Sequence, residues 1–200
     1  MSSAASSLAE RPHTVASELA DLPVGWVGMW WFLASEIMVF SGLLGSYVLA
    51  RLANGGWAVE RAHVNTRLAA LNTLILVTSS LSVVQAHAAV EAGRQRQARR
   101  YLLTTVLLGV AFLCIKSYEY STEIAHGFTP QSGLFWSYYY TMTGLHGLHV
   151  LVGVGLLFGL FVMAGRRNWR AGPRRVEYAG LYWHFVDVVW IFLFPLLYLA

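Results

Sequence analysis

An all-α, polytopic membrane protein with five transmembrane helices in one bundle is the fold class that this sequence predicts. Three observations carry it. The 200 residues are 56% hydrophobic and only 12% charged, whereas a water-soluble domain carries about a quarter charged residues. The apolar residues collect in five runs, each long enough to supply the ~20 residues that a helix needs to cross a bilayer. No run alternates with period two, which argues against a membrane barrel and leaves helices, which satisfy their own backbone in lipid.

Residues 1–22 are polar and Ala/Ser-rich. They lack the apolar h-region of a cleaved signal and read as a disordered cytoplasmic tail. Residues 23–200 read as one transmembrane domain. The first span covers about 26–52, opens on Trp26, Trp30 and Trp31, and is followed by Trp57. The second covers about 68–92 and the third about 100–125. The fourth, about 134–165, opens on Trp136, Tyr138, Tyr139 and Tyr140 and is long enough to tilt. The fifth covers about 176–199, and Pro195 is expected to bend its outer end. Trp and Tyr favour the headgroup level, so the aromatic clusters mark boundaries. The spans differ in length and polar content and show no repeat, which counts against an inverted-repeat transporter.

Charge orients the bundle. Arg94, Arg96, Arg99 and Arg100 fill one connection, and Arg166, Arg167, Arg170, Arg174 and Arg175 fill another. Arg11 in the tail falls on the same side. The opposite side holds Arg51, Arg61 and Arg67, with His126 alone in "HGFTPQSG". The positive-inside rule places the N-terminus in the cytoplasm and the C-terminus outside. The formal net charge of +4 therefore marks topology and not a nucleic-acid stripe. "SYYYT" at 137–141 has no basic neighbour that would make it a base-stacking platform. The single cysteine, Cys114, excludes an internal disulfide and reads as a small buried core residue.

Charged side chains near the bilayer centre are costly, about 2.5–3.5 kcal/mol each on insertion scales, so each needs a partner. Glu36 lies ten residues past Trp26, about 15 Å deep at 1.5 Å per residue. Lys116 and Glu119 lie in the outer half of the third span, and His146 and His149 in the fourth. His184 and Asp187 lie one turn apart on the fifth. The H-x-x-H and H-x-x-D spacings, with Glu36, raise a metal site. A di-metal bundle, however, uses Glu-x-x-His pairs, and none of these intramembrane histidines follows a glutamate by three residues. The alternative is hydrogen bonding between helices, with Gly144, Gly147, Gly153, Gly155 and Gly159 letting neighbours approach. Depth favours a Glu36–His149 hydrogen bond over Glu36–His146.

At these residues the chain resembles the cytochrome c oxidase subunit III family, in its short five-helix bacterial form. "YWHFVDVVWIFLFPLLYL" (182–199) resembles that family's last helix, and "TGLHGLHVLVG" (143–153) its signature in the helix before. "GMWWFLASEIMVFSGLLGSYV" (28–48) resembles the helix bearing a buried glutamate, here Glu36. "LNTLILVTSSLSVVQAHAAV" (71–90) and "IKSYEYSTEI" (115–124) match the next two, with Glu119 at a family glutamate position. Longer members have two further N-terminal helices, which form one wall of a lipid-filled cleft.

The resemblance implies a non-catalytic subunit III of a respiratory haem-copper terminal oxidase in the bacterial plasma membrane. By it, this chain binds no haem, copper or other metal. Haem and copper belong to subunit I, with subunit II a further place for copper, and phospholipid is the expected ligand. Subunit I is the main partner, with subunit II and a small subunit IV beside it and no nucleic acid. The implied role is to stabilise subunit I, support proton uptake and oxygen access, and bind lipid. Glu36 and His149 would be the family's buried polar pair, structural or proton-related rather than catalytic. Quinol oxidase and nitric oxide reductase assemblies contain relatives, so they stand as alternatives to cytochrome c oxidase. A proton-coupled transporter using Glu36 and Asp187 is a more distant one.

Overall fold

A computed structural model describes residues 24–165 and 172–199. The expected tail, and Arg11, Arg166, Arg167 and Arg170 of the charge argument, lie outside the described residues. Helix α1 is Val24–Ala53, α2 is the short Ala58–Arg61, α3 is Thr66–Glu91, α4 is Gln95–Ala125, α5 is Leu134–Met163 and α6 is Gly172–Phe194. A π-helical turn, Pro195–Leu199, continues α6. Five of these elements are long and apolar enough to cross a membrane.

The helix ends follow from local chemistry. After α1, α3 and α4, glycines at 55, 93 and 127 take positive φ, which only glycine adopts without Cβ strain. Each closes the same pair of bonds. For α3, the Gly93 N–H donates to the Val90 carbonyl at 3.0 Å and the Arg94 N–H to the Ala89 carbonyl at 2.8 Å, the Schellman pattern. At the other end of α3, the Asn65 side chain accepts from the Leu68 N–H at 3.2 Å, a side-chain N-cap. The structure begins α4 at Gln95, not near 100: the tight turn at Gly93 lets the helix restart at once, and its arginine-rich first turns are helical although polar. Pro195 changes the backbone as its missing N–H requires, and the outcome is a π turn.

α3 and α4 form an antiparallel hairpin, and α6 packs against α3, α5 and α1. α6 is half buried along its span, whereas α1 is the most exposed of the five. α1 turns inward only Leu33, Phe40 and Tyr47, a seven-residue spacing that makes one narrow stripe. Large apolar side chains such as Met38, Leu74, Leu107, Leu148 and Phe158 face outward, as a lipid environment requires. Cys114 is one of these outward residues, which corrects its reading as core: it lies two positions from the inward-facing Phe112 and Lys116, off the buried stripe of a 3.6-residue period.

The tightest approach occurs where α6 meets α4 and α5. A Cβ on Gly153 would sit 2.7 Å from the Trp183 ring, and one on Gly109 2.6 Å from Val154 and 2.8 Å from Trp183. A Cβ on Gly147 would meet nothing within 4 Å, and one on Gly144 only the Tyr120 hydroxyl at 3.8 Å. Close approach therefore belongs to Gly109 and Gly153, which seat the Trp183 indole, and not to the glycines flanking His146. Three of the boundary aromatics also turn inward: Trp57, Trp136 and Tyr139 are buried in the bundle.

Candidate functional site: three polar clusters inside the bundle

The intramembrane polar residues resolve into three groups. In the first, the structure joins α1 to α5. Glu36 Oε2 lies 3.1 Å from His149 Nε2. The ring is fixed from its other side, where His149 Nδ1 lies 2.8 Å from the Leu145 carbonyl. That carbonyl can only accept, so Nδ1 carries a hydrogen. Phe40 presents to the imidazole in a T-shaped contact at 5.2 Å. The Tyr182 hydroxyl donates to the His149 carbonyl at 3.2 Å.

The second group is buried where α4 ends and α5 begins. The Lys116 ammonium donates to Glu119 Oε2 at 3.1 Å, to the Tyr139 hydroxyl at 3.1 Å and to the Tyr198 hydroxyl. Both tyrosines donate in turn to Glu119 Oε1, at 2.8 Å and 2.7 Å. All three ammonium hydrogens and both carboxylate oxygens are used, which is the condition under which a buried ion pair is tolerable. The rings of Tyr139, Tyr198, Tyr120 and Trp190 surround the ammonium at 4.8–5.5 Å, adding cation–π attraction. The sequence points to Lys116 and Glu119, three residues apart on one face. It does not single out Tyr139 and Tyr198, whose signal is only that a buried ammonium needs three acceptors.

The third group lines α6. His184 Nδ1 lies 2.6 Å from the Ser80 hydroxyl. The indole N–H groups of Trp183 and Trp190 donate to Ser79 and Thr73, each at 3.0 Å. Asp187 is buried, and among the described residues its carboxylate oxygens have no hydrogen-bond partner. His146 is also buried without a partner on either nitrogen, its ring stacked on Trp190 at 5.1 Å and facing the edge of Phe112 at 5.6 Å. His184 and Asp187 share a face of α6, and His146 and His149 serve different neighbours. Among the described residues, no three His, Cys, Asp or Glu side chains converge as a metal site needs.

An apolar groove of about 520 Å³ opens beside the first group, toward the end of the bundle that bears Arg175. Met29 and Phe32 of α1 form one wall, Gly155 and Gly159 of α5 the floor, and Tyr178 and Arg175 of α6 the rim.

Five membrane-crossing helices, with polar side chains tied between helices, define a multi-pass membrane protein of the integral-subunit kind. The family model for cytochrome c oxidase subunit III matches residues 22–200, and the chain belongs to that family. It is 36% identical over 176 residues to the cytochrome c oxidase subunit 3 of Thermostichus vulcanus, covering 86% of each chain. The same figures hold for the cytochrome c oxidase subunit 3 of Corynebacterium diphtheriae. It is 30% identical over 193 residues to the probable quinol oxidase subunit 3 of Staphylococcus haemolyticus, covering 94% of each. Membership makes the chain subunit III of a haem-copper oxidase, part of an oxidoreductase complex.

Proposed function

We propose that this chain is the non-catalytic third subunit of a cytochrome c oxidase in a bacterial inner membrane, packed chiefly on subunit I, with subunit II and a small subunit IV nearby. In this reading it carries no redox centre. It stabilises subunit I during turnover, supports proton uptake and oxygen access, and binds phospholipid. The observation that carries the reading is that Glu36, Lys116, Glu119, His149 and His184, buried or half-buried within the bundle, bond to other helices or residues of the same chain. Such groups hold a scaffold together and leave the redox chemistry to a partner.

The apolar groove suits an acyl chain, and Arg175 at its rim suits a lipid phosphate. The positive-inside rule supports a cytoplasmic side for the arginine-rich connections, which include Arg94, Arg96, Arg99, Arg100, Arg174 and Arg175. A quinol donor is the second reading, favoured by the Staphylococcus haemolyticus relative.

Purification of the native complex tests the assignment. We expect this chain to copurify with a haem protein whose optical spectrum responds to oxygen, and with oxidation of ferrocytochrome c. A preference for quinol selects the second reading, and a stable haem-free particle overturns both.

A further inference from the structure

We infer that Asp187, Ser80 and His184 form a proton-holding relay that joins the middle of the bundle to a small pocket toward its arginine-rich end. The relay is a property of this chain and holds whichever oxidase carries it.

The pocket, about 170 Å³ in volume, lies between α3 and α6, and His87, Glu177 and His184 line it. That is room for several waters beside three polar side chains. α3 ends at Glu91 and α6 starts at Gly172, so the pocket lies toward the end that carries Arg94 and Arg175. His184 belongs both to the pocket and to the interior. Its half-buried ring lines the pocket, and its Nδ1 lies 2.6 Å from the Ser80 hydroxyl. The same hydroxyl acts on the carboxylate of Asp187. Asp187 is 6% exposed, and its carboxylate closes no bond while the hydroxyl serves His184. It stands fifteen residues past Gly172, about 22 Å along the helix at 1.5 Å per residue. Around the pocket, His87 of α3 lies 3.9 Å from Glu91, and Glu177 is on α6. On the other packed helices, His146 of α5 and Lys116 of α4 both lie against Trp190, one turn beyond Asp187.

A serine hydroxyl has one hydrogen, two lone pairs and free rotation about its C–O bond, so Ser80 supports two arrangements. With Asp187 ionised, the hydroxyl donates to the carboxylate, His184 Nδ1–H donates to the hydroxyl oxygen, and Nε2 is bare. With Asp187 protonated, the carboxylic acid donates to the hydroxyl oxygen, the hydroxyl donates to a bare Nδ1, and Nε2 carries the ring hydrogen. One proton separates the two. Delivered from the pocket to Nε2, it displaces the Nδ1 hydrogen onto Ser80 Oγ, and the Ser80 hydrogen passes to Asp187. The ring ends neutral, the carboxylate becomes a neutral acid, and both contacts keep one donor and one acceptor. The reverse path returns the proton without a ring flip. A buried carboxylate without a partner is costly. The acid form removes that cost, and the relay is the route by which it forms.

The test is infrared spectroscopy of the full chain in phosphatidylcholine nanodiscs. The chain has two aspartates, Asp21 and Asp187, so aspartate with heavy carbon in its side-chain carboxyl, supplied in an Asp21→Asn background, labels Asp187 alone. At neutral pH we expect the labelled carbonyl band of a neutral carboxylic acid, and a rapid shift of that band on transfer to heavy water. His184→Phe and Ser80→Ala should keep the band and slow its shift by about 10²-fold, the order that one positioned proton-transfer group contributes. Ser80→Thr restores the hydroxyl but not the packing, and should restore the rapid shift. A labelled carboxyl that is ionised at neutral pH, or a shift that is equally fast in His184→Phe and Ser80→Ala, overturns the relay. Where His184→Phe fails to fold, the two Ser80 variants decide.

Discussion

At the scale of single residues, the Lys116–Glu119 pair is the most demanding feature of the chain. Its two charges are tolerable because Tyr139 and Tyr198 complete the hydrogen bonding. Lys116→Met leaves Glu119 buried without its cation and should cost about 3–5 kcal/mol. Joint replacement, Lys116→Met with Glu119→Leu, should cost much less than the sum of the single losses. Thermal denaturation of the purified complex measures both. Tyr139→Phe removes both the bond it donates to Glu119 and the one it accepts from Lys116, and should cost at least the ~1.5–3 kcal/mol of one bond to a charged group by the same measure. The residues of this cluster were unequally legible. A lysine and a glutamate at i, i+3 in an apolar run stand out at once. Tyr139 looked like one more interfacial ring, and Tyr198 like part of an apolar end. Their role depends on contacts between segments 20 to 82 residues apart, which no local pattern encodes. The depth of Glu36 and His149 was legible because a helix converts residue count to height. The commitment of His149 Nδ1 to the Leu145 carbonyl was not, since it depends on a ring rotamer.

Among the elements, the spans were readable from hydropathy: five apolar runs announce five long apolar helices. The ends were not, because the turns closed by glycines at 55, 93 and 127 depend on a backbone conformation that apolar runs do not encode. Which glycines admit a neighbour was not readable, because every glycine on α5 fits a small-residue stripe until the partner helix is known. Gly153→Ala should be destabilising by about 1–3 kcal/mol, since the Trp183 ring is enclosed and cannot shift freely. Gly159→Ala faces open space and should leave stability unchanged or raise it slightly by favouring helix. The two variants differ only in which side of α5 they decorate, so their denaturation midpoints test the packing directly.

For the whole molecule, burial is graded: α6 lies at the centre, and α1 leans on it through a single stripe. Local opening follows buried contact. Amide hydrogen exchange in the assembled complex should therefore be slowest in α6 and α5 and fastest in the N-terminal half of α1. Equal protection across α1 and α6 would mean that a partner covers α1 as thoroughly as the bundle covers α6. The grading also explains why composition and span count were enough to give the fold class, while the arrangement of helices was not: lipid-facing and helix-facing surfaces are almost equally apolar here, so the sequence carries little contrast between them.

The π turn at Pro195–Leu199 has a consequence in time. Its carbonyls accept from Tyr47 and Arg61, and its Tyr198 completes the Lys116–Glu119 cluster. A ribosome delivers α4 and α5 to the membrane well before residue 198 emerges. Through that interval the ion pair lacks one hydroxyl, and the C-terminal end of α1 lacks the Leu196 carbonyl that anchors Tyr47. The bundle thus assembles loosely and tightens only when its latest-made segment threads back among helices already in place. Defects in residues 195–199 should then surface during biogenesis, as chains cleared before assembly.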